Sequence, residues 1–265
     1  MTRSRFGGTV ARSDGDGPPV VLVHGMGLNL NMWDWQMPFL APRFRVTRYD
    51  LLGHGGSDKP VKTYEMADFV GQLARLMDAL DMARGALVGF SLGGLIVRAF
   101  ALAHPDRVSA LAILNSAHDR SDAERAGLLE RLALATREGH GATVEMALAR
   151  WFTKDFAARR PDVIDLVRRW MYANDQRVYP LIYRVLAEGD RPLSKAIDAI
   201  RAPTLVLACE WDHGNSPAMA ERMAARIPGA RAATVPGLKH MGLAEDPEAI
   251  ARILVPFLED ALAVD

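Results

Sequence analysis

A serine, a histidine and an aspartate in this chain have the types and surroundings needed for acyl transfer. Ser91 stands in Gly89-Phe90-Ser91-Leu92-Gly93, with the apolar run Ala86–Phe90 before it and the apolar stretch Leu92–Ala103 after it. A strand-like run, a glycine-flanked serine and a helix-like run together make the G-x-S-x-G nucleophile elbow. The turn is sharp, so its neighbours must be small, and it holds the hydroxyl out at the end of a sheet. There the first N–H groups of the following helix favour developing negative charge. A serine that only caps a helix start is the competing reading, and the apolar run on each side weighs against it.

A serine hydroxyl needs a base. His240 is the candidate, in the loop Val235-Pro-Gly-Leu-Lys-His240-Met-Gly-Leu between the last short strand run and the final helix. The other histidines are less well placed. His24 and His54 sit in glycine-rich turns, and His104 ends a helix. His118 and His140 belong to a strandless segment, and His213 directly follows an aspartate. The base in turn needs an acid to fix its tautomer. Asp212 follows the apolar run Thr204–Ala208 through Cys209-Glu210-Trp211, with Glu210 as the rival from the same loop. The chain order Ser91, Asp212, His240 fits an elbow serine. The turn Val23-His24-Gly25-Met26-Gly27 is the candidate oxyanion loop, and the N–H groups of Met26 and Leu92 form the expected oxyanion hole.

These residues need a scaffold, and the pattern of apolar runs supplies one. Val20–Val23, Phe44–Tyr49, Ala86–Phe90, Val108–Leu114, Thr204–Ala208 and the weaker Arg231–Val235 read as short strands. Most are continuous rather than alternating, as strands buried on both faces of a parallel sheet are. Helical spacing fills the gaps: Tyr64–Leu80, Leu92–Ala103, Pro217–Ile227 and Pro247–Leu262. Strands alternating with helices indicate an α/β fold. From His118 to Ser194 no strand pattern appears. That stretch holds the helical segments Glu124–Arg137, Thr143–Phe152, Pro161–Tyr172 and Pro180–Ala187. The expected organisation is a core of residues 1–117 and 195–265 with a helical cap, residues 118–194, over one end of the sheet.

Bulk properties exclude several classes. The 265 residues carry 32 basic and 32 acidic side chains and 49% hydrophobic residues, ordinary for a globular protein and unsuited to a polyanion partner. No nucleic-acid or membrane partner is expected. No run approaches the roughly 20 apolar residues that span a bilayer. The N-terminal MTRSRFGGTVARSDGDGPP has no apolar signal region, so a cytoplasmic location is the expectation. The single cysteine, Cys209, reads as a small buried hydrophobe. No metal-ligand spacing and no phosphate loop occur, so neither metal nor cofactor is expected.

At the level of motifs the chain resembles the α/β-hydrolase fold superfamily along nearly its whole length. The markers are His24-Gly-Met-Gly27, Asp50 to Ser57 with its glycines, Gly89-Phe-Ser-Leu-Gly-Gly94, the acid turn ending at Asp212 and the His240 loop. The resemblance implies a mostly parallel central sheet flanked by helices, and a structural role for Asp50, Gly53, Gly55 and Ser57 beside the oxyanion loop. A serine nucleophile argues against haloalkane dehalogenases and epoxide hydrolases, which use aspartate there. The C–C hydrolases of meta-cleavage products usually carry asparagine before the nucleophile and tryptophan after the histidine, where this chain has Phe90 and Met241. Cofactor-free haloperoxidases and perhydrolases have proline in the oxyanion turn, where this chain has Met26-Gly27. The stretch His24–Gln36 most resembles the 3-oxoadipate enol-lactonase-like and carboxylesterase branches.

The expected activity is therefore hydrolysis of a carboxylic ester or lactone of a small, largely apolar substrate. C–C bond hydrolysis, perhydrolysis and a non-catalytic ligand receptor are the alternatives, and a homodimer is an assembly the sequence leaves open. The expected pocket residues are Trp33, Phe90, Trp151, Trp170 and Met241. The pairs Arg159-Arg160 and Arg168-Arg169 could meet a substrate carboxylate, against the blander reading of an exposed helix face.

Overall fold

Continuous apolar runs need cover on both sides, and the chain provides it by placing helices on each face of one sheet. The computed structural model describes residues 4–263; the first three residues of the N-terminal stretch, and the last two of the chain, lie outside them. The strands are β1 (Ser4–Phe6), β2 (Thr9–Asp14), β3 (Pro19–Val23), β4 (Arg45–Tyr49), β5 (Gly85–Phe90), β6 (Val108–Leu114), β7 (Thr204–Cys209) and β8 (Arg231–Val235). The helices are α1 (Met37–Leu40), α2 (Met66–Ala79), α3 (Leu92–Ala103), α4 (Asp122–Glu138), α5 (Val144–Trp151), α6 (Lys154–Arg159), α7 (Pro161–Tyr172), α8 (Tyr179–Glu188), α9 (Asp190–Ala196), α10 (Pro217–Arg226), α11 (Gly242–Glu245) and α12 (Pro247–Leu262).

The sheet runs β1-β2-β4-β3-β5-β6-β7-β8. Strands β3 to β8 are mutually parallel, whereas β1 and β2 pair antiparallel at one edge. The edge pair escaped the sequence reading because Thr9–Asp14 is polar and half-exposed along much of its length, as an edge strand can be. Within β3 the side chains alternate between two cores. Val21 and Val23 join α2 and α3 residues such as Phe69, Leu73 and Phe100. Val20 and Leu22 join Phe44, Leu254 and Leu258 on the opposite face.

Strand order reverses at β3. The chain leaves β3 toward β4 and leaves β5 toward β6, so the loops after these two neighbours part and open a crevice at their carboxyl ends. The elbow sits in that crevice. Here α3 starts so close to the sheet that a Cβ on Gly93 would overlap the carbonyl oxygen of Val23, and one on Gly89 the carbonyl oxygen of Gly93. The glycines around Ser91 therefore make room for main chain of neighbouring elements.

Between β6 and β7 the chain makes α4 to α9. The α6 and α9 helices were not expected from the sequence, being only 6 and 7 residues long. The two ends of this segment are clasped: Ser194 Oγ lies 3.1 Å from His118 Nδ1 and accepts from the Asp119 N–H at 3.0 Å. Behind the clasp, the fully buried Asp190 carboxylate accepts from the Arg120 N–H and the Arg125 guanidinium, and so joins α9 to α4.

Two glycine replacements separate close approach from mere flexibility. Gly93→Ala is expected to cost about 1–3 kcal/mol or more, because backbone must move. Gly127→Ala, in α4 with only the end of the Arg131 side chain nearby, is expected to stabilise by about 0.4–1 kcal/mol through the unfolded state. Urea midpoints compare the two directly, and equal shifts would contradict the packing account.

Candidate active site

Ser91 takes φ 55° and ψ −113°, a backbone region that side chains rarely adopt. Neighbouring groups hold it there. Its N–H donates to the Leu114 carbonyl at 3.0 Å, and its own carbonyl accepts from the Gly94 N–H at 3.0 Å and from Ser116 Oγ at 2.8 Å. Both anchors at Leu114 and Ser116 come from the end of β6, so strand pairing between β5 and β6 sets the elbow. The Leu92 N–H opens α3, where helix geometry provides no intrahelical acceptor. The Met26 N–H has no hydrogen-bond acceptor among the described residues.

The loop carrying Met26 is braced by two neutral imidazoles and one carboxylate. His24 Nε2 accepts from the Leu51 N–H at 2.9 Å, and its Nδ1 faces the Gly25 carbonyl at 2.8 Å. His54 Nε2 accepts from the Gly27 N–H at 3.0 Å. Asp50 accepts from the Leu30 N–H at 2.8 Å and the Gly56 N–H at 2.7 Å. Burial pushes His24 down to about 4 and His54 to about 3; the charge of His24 adds to the latter. Each ring can therefore accept with one nitrogen and donate with the other.

His240 Nδ1 lies 2.6 Å from Asp212 Oδ2, and both side chains are almost completely buried. Burial alone would raise the Asp212 carboxyl. The charge of His240, with hydrogen bonds from His240, Asn215 and Asn115, outweighs it and holds the group below the ordinary carboxylate value. Asn115 Nδ2 and Asn215 Nδ2 approach Oδ2 at 3.2 and 3.3 Å, while the N–H groups of Gly214 and Asn215 donate to Oδ1 at 3.2 and 3.1 Å. Asn115 also reaches the His240 carbonyl at 3.2 Å. The rival acid, Glu210, is exposed and accepts from the Gly237 N–H instead.

Ser91, Met26, Asp212 and His240 line one cavity of about 460 Å³. Of the five expected pocket residues, Trp151 lines it, with its ring 5.5 Å from that of His240. Phe90 packs against the His240 ring at 4.7 Å from within the core, and Met241 is buried with its N–H on the Trp151 carbonyl. Four expectations are corrected: Phe90 and Met241 are buried in the core and do not line the cavity, and neither do Trp33 and Trp170. Trp33 is 0% exposed and absent from the wall, because the single turn Leu30–Trp33 buries its apolar side chains against the sheet. Trp170 also lies off the wall. Its helix, α7, turns Val163, Ile164, Val167 and Met171 inward, which leaves Trp170 to pack on Trp35 at 5.7 Å. Tyr179 and Tyr183 of α8 and the half-exposed Trp211 also line the cavity.

Asn115 and Asn215 were missed by sequence reasoning. A usable signal exists for Asn115. His24, Ser91 and Asn115 are each the first polar residue after a buried strand, β3, β5 and β6 respectively.

Among the described residues no group of histidine, cysteine and acidic side chains could hold a metal ion, and no helix is long and apolar enough to cross a membrane. Cys209 is buried, and burial pushes its thiol up to about 12.

Known proteins resemble the chain throughout. A family model described as the alpha/beta hydrolase fold matches residues 18–247. The (E)-2-((N-methylformamido)methylene)succinate hydrolase of Acinetobacter baylyi is 28% identical over 245 residues, 92% of either chain. The crystal structure of the enol-lactonase from Burkholderia xenovorans LB400 superimposes with a TM-score of 0.89 at 32% identity, covering 97% of this chain and 99% of its own. A thermophilic esterase from Thermogutta terrifontis gives a TM-score of 0.89 at 26% identity, covering 98% and 99%.

Replacing Asn115 by Ala removes one donor from Asp212 and one from the His240 loop. The Asp212 carboxyl is expected to rise toward its ordinary value and hydrolytic kcat/KM to fall roughly tenfold, the scale of a lost hydrogen bond to a charged group. Steady-state rates across pH check it, and an unchanged profile would remove Asn115 from the acid's support. The buried imidazoles make a second prediction. Their folded values lie below the 6.5 of the unfolded chain, so the unfolded state takes up protons first. Stability is then unaffected by these rings above about pH 7. It is lost as the pH falls below 6.5, at up to about 1.4 kcal/mol per pH unit per ring. Urea titrations between about pH 4 and pH 7 measure the slope, and His54→Gln should remove one ring's share of it.

Proposed function

The chain belongs to the alpha/beta hydrolase fold family and is a hydrolase, and on that premise we propose that it cleaves a small carboxylic ester or lactone through an acyl-enzyme at Ser91. The observation that carries this reading is the 2.6 Å contact between His240 Nδ1 and Asp212 Oδ2, on the wall of the cavity that Ser91 also lines. With Nδ1–H committed to the carboxylate, Nε2 is left as the basic nitrogen.

His240 Nε2 takes the Ser91 proton as Oγ attacks the substrate carbonyl. The resulting oxyanion is held by the N–H groups of Met26 and Leu92, and Asp212 stabilises the imidazolium. The tetrahedral intermediate collapses, His240 protonates the departing alkoxide, and the acyl group stays on Ser91. A water molecule, deprotonated by His240, then attacks the acyl carbonyl and releases the acid. For a lactone the leaving alkoxide remains tethered to the acyl group, and ring opening replaces departure. Residues 118–194 act as a lid that supplies the cavity wall opposite the sheet and limits access of water. The enol-lactonase and the esterase named above, similar over nearly their full lengths, support ester-type chemistry.

Ser91→Ala is expected to reduce kcat by on the order of 10⁶, the scale seen when a serine-hydrolase nucleophile is removed. A fluorophosphonate probe should label the unaltered protein at Ser91 and leave the variant unlabelled. Full ester hydrolysis by Ser91→Ala would refute the covalent route.

A further inference from the structure

We infer that the catalytic cavity selects an ester or lactone bearing a free carboxylate, which Arg150 and Arg131 bind from the lid side. This rests on the hydrolase reading above and adds the substrate's charge to it.

Charge balance in the cavity is the first ground. Its wall carries the basic residues Arg120, Arg131, Arg150 and Lys239 and the acidic residues Glu124 and Asp212. Most of these are already engaged. Asp212 is buried against His240. Glu124 accepts from the N–H and hydroxyl of Ser121 in the cap of its own helix. Arg120 pairs with Asp190, and Lys239 Nζ donates to the Ala149 carbonyl at 3.0 Å. Arg131 and Arg150 remain. Among the described residues neither has a carboxylate within ion-pair distance, and the one hydrogen bond of the Arg131 side chain runs to Tyr183 Oη at 3.2 Å.

The second ground is placement. Arg131 lies on α4 and Arg150 is the penultimate residue of α5, next to Trp151, whose ring faces His240. Two guanidinium groups from different helices face the same cavity as Ser91. Like charges brought together oppose each other, and an anion between them removes the conflict. A guanidinium presents paired N–H donors that match the two oxygens of a carboxylate. Arg150 is exposed, so solvent still reaches it; desolvation by the wall, and after it the charge of Arg131, push it below its ordinary value.

The arginine pairs noted in the sequence are otherwise employed or turned away. Arg160 pairs with Asp162, Arg168 with Glu145 and Asp165, and none of Arg159, Arg160, Arg168 and Arg169 lines the cavity. The expectation of a largely apolar substrate is sharpened to one with an apolar body and one anionic end.

The test compares methyl hemiesters of glutaric, adipic and pimelic acids with methyl esters of matched neutral acids, by pH-stat. The unaltered enzyme should prefer the hemiesters in kcat/KM. Arg150→Met and Arg131→Met should each lower the acid-to-neutral ratio by roughly ten- to hundredfold, and Arg150→Lys should recover part of it. A parallel titration of glutarate into Ser91→Ala by calorimetry should show binding that Arg150→Met weakens by a similar factor. Neutral esters hydrolysed as well as hemiesters, or a ratio unmoved by either substitution, overturns the inference and leaves the hydrolase reading intact. Hydrolysis of neither ester, with arginine-dependent glutarate binding retained, overturns the hydrolase reading and keeps the anion site. Loss of both overturns both.

Discussion

The left-handed backbone of Ser91 is the constraint on which the rest of the site depends. A residue with a side chain at φ 55° persists only when its surroundings fix it on both sides. β6 does so from one side, through Leu114 and Ser116. On the other side α3 begins against the end of β3, near enough that glycine is required where its first turn meets the Val23 and His24 carbonyls. The next carbonyl, that of Gly25, is held by the His24 ring. The candidate oxyanion loop is thus part of the same packing problem as the elbow. Asp50 and the imidazoles of His24 and His54 maintain the loop, and the loop limits how far the elbow can relax.

Parallel strands explain why these groups meet. Every strand from β3 to β8 ends on the same edge of the sheet, so the segment leaving each one is delivered there. β3 is followed by His24, β5 by Ser91, β6 by Asn115 and β7 by the turn to Asp212. Asn115 itself has φ 47°, and its amide links the acid turn to the His240 carbonyl. A buried carboxylate would ordinarily take up a proton to avoid the cost of desolvation. Asp212 has enough donors around it to stay ionised, and this lets it orient the imidazole without competing for its proton.

How much could be read beforehand follows from which forces leave a local trace. Buried parallel strands write themselves as apolar runs, so β3 to β7 were legible, while the mostly exposed β8 at the far edge left only a weaker run, and α3, α7 and α12 were legible to the residue. The edge strands β1 and β2 are half-solvated and left no such trace. The cavity wall was less legible than the sheet edge. Helical spacing in α7 marks an inward stripe, but it cannot tell a wall from a core, and Trp170 fell between the two. Trp33 looked exposed to substrate because it follows the oxyanion turn, yet the turn closes tightly enough to bury it. Arg131 and Arg150 are indistinguishable from surface arginines in the sequence. Only the placement of α4 and α5 over the elbow gives them a shared target.

The proposed lid, residues 118–194, is bound to the candidate site at more than one point. Asn174, just beyond α7, donates to the Gly27 carbonyl at 2.9 Å, and the Met241 N–H donates to the Trp151 carbonyl at 2.9 Å. Thr153 donates to Glu245, and Lys239 to Ala149. The first of these ties the lid to the loop that carries Met26, and the others tie it to the segment that carries His240. A motion of α5 or α7 that preserves these bonds must carry the oxyanion loop and the base with it. A motion that breaks them exposes buried donors and acceptors, at a cost of about 1–3 kcal/mol for each group left unpaired.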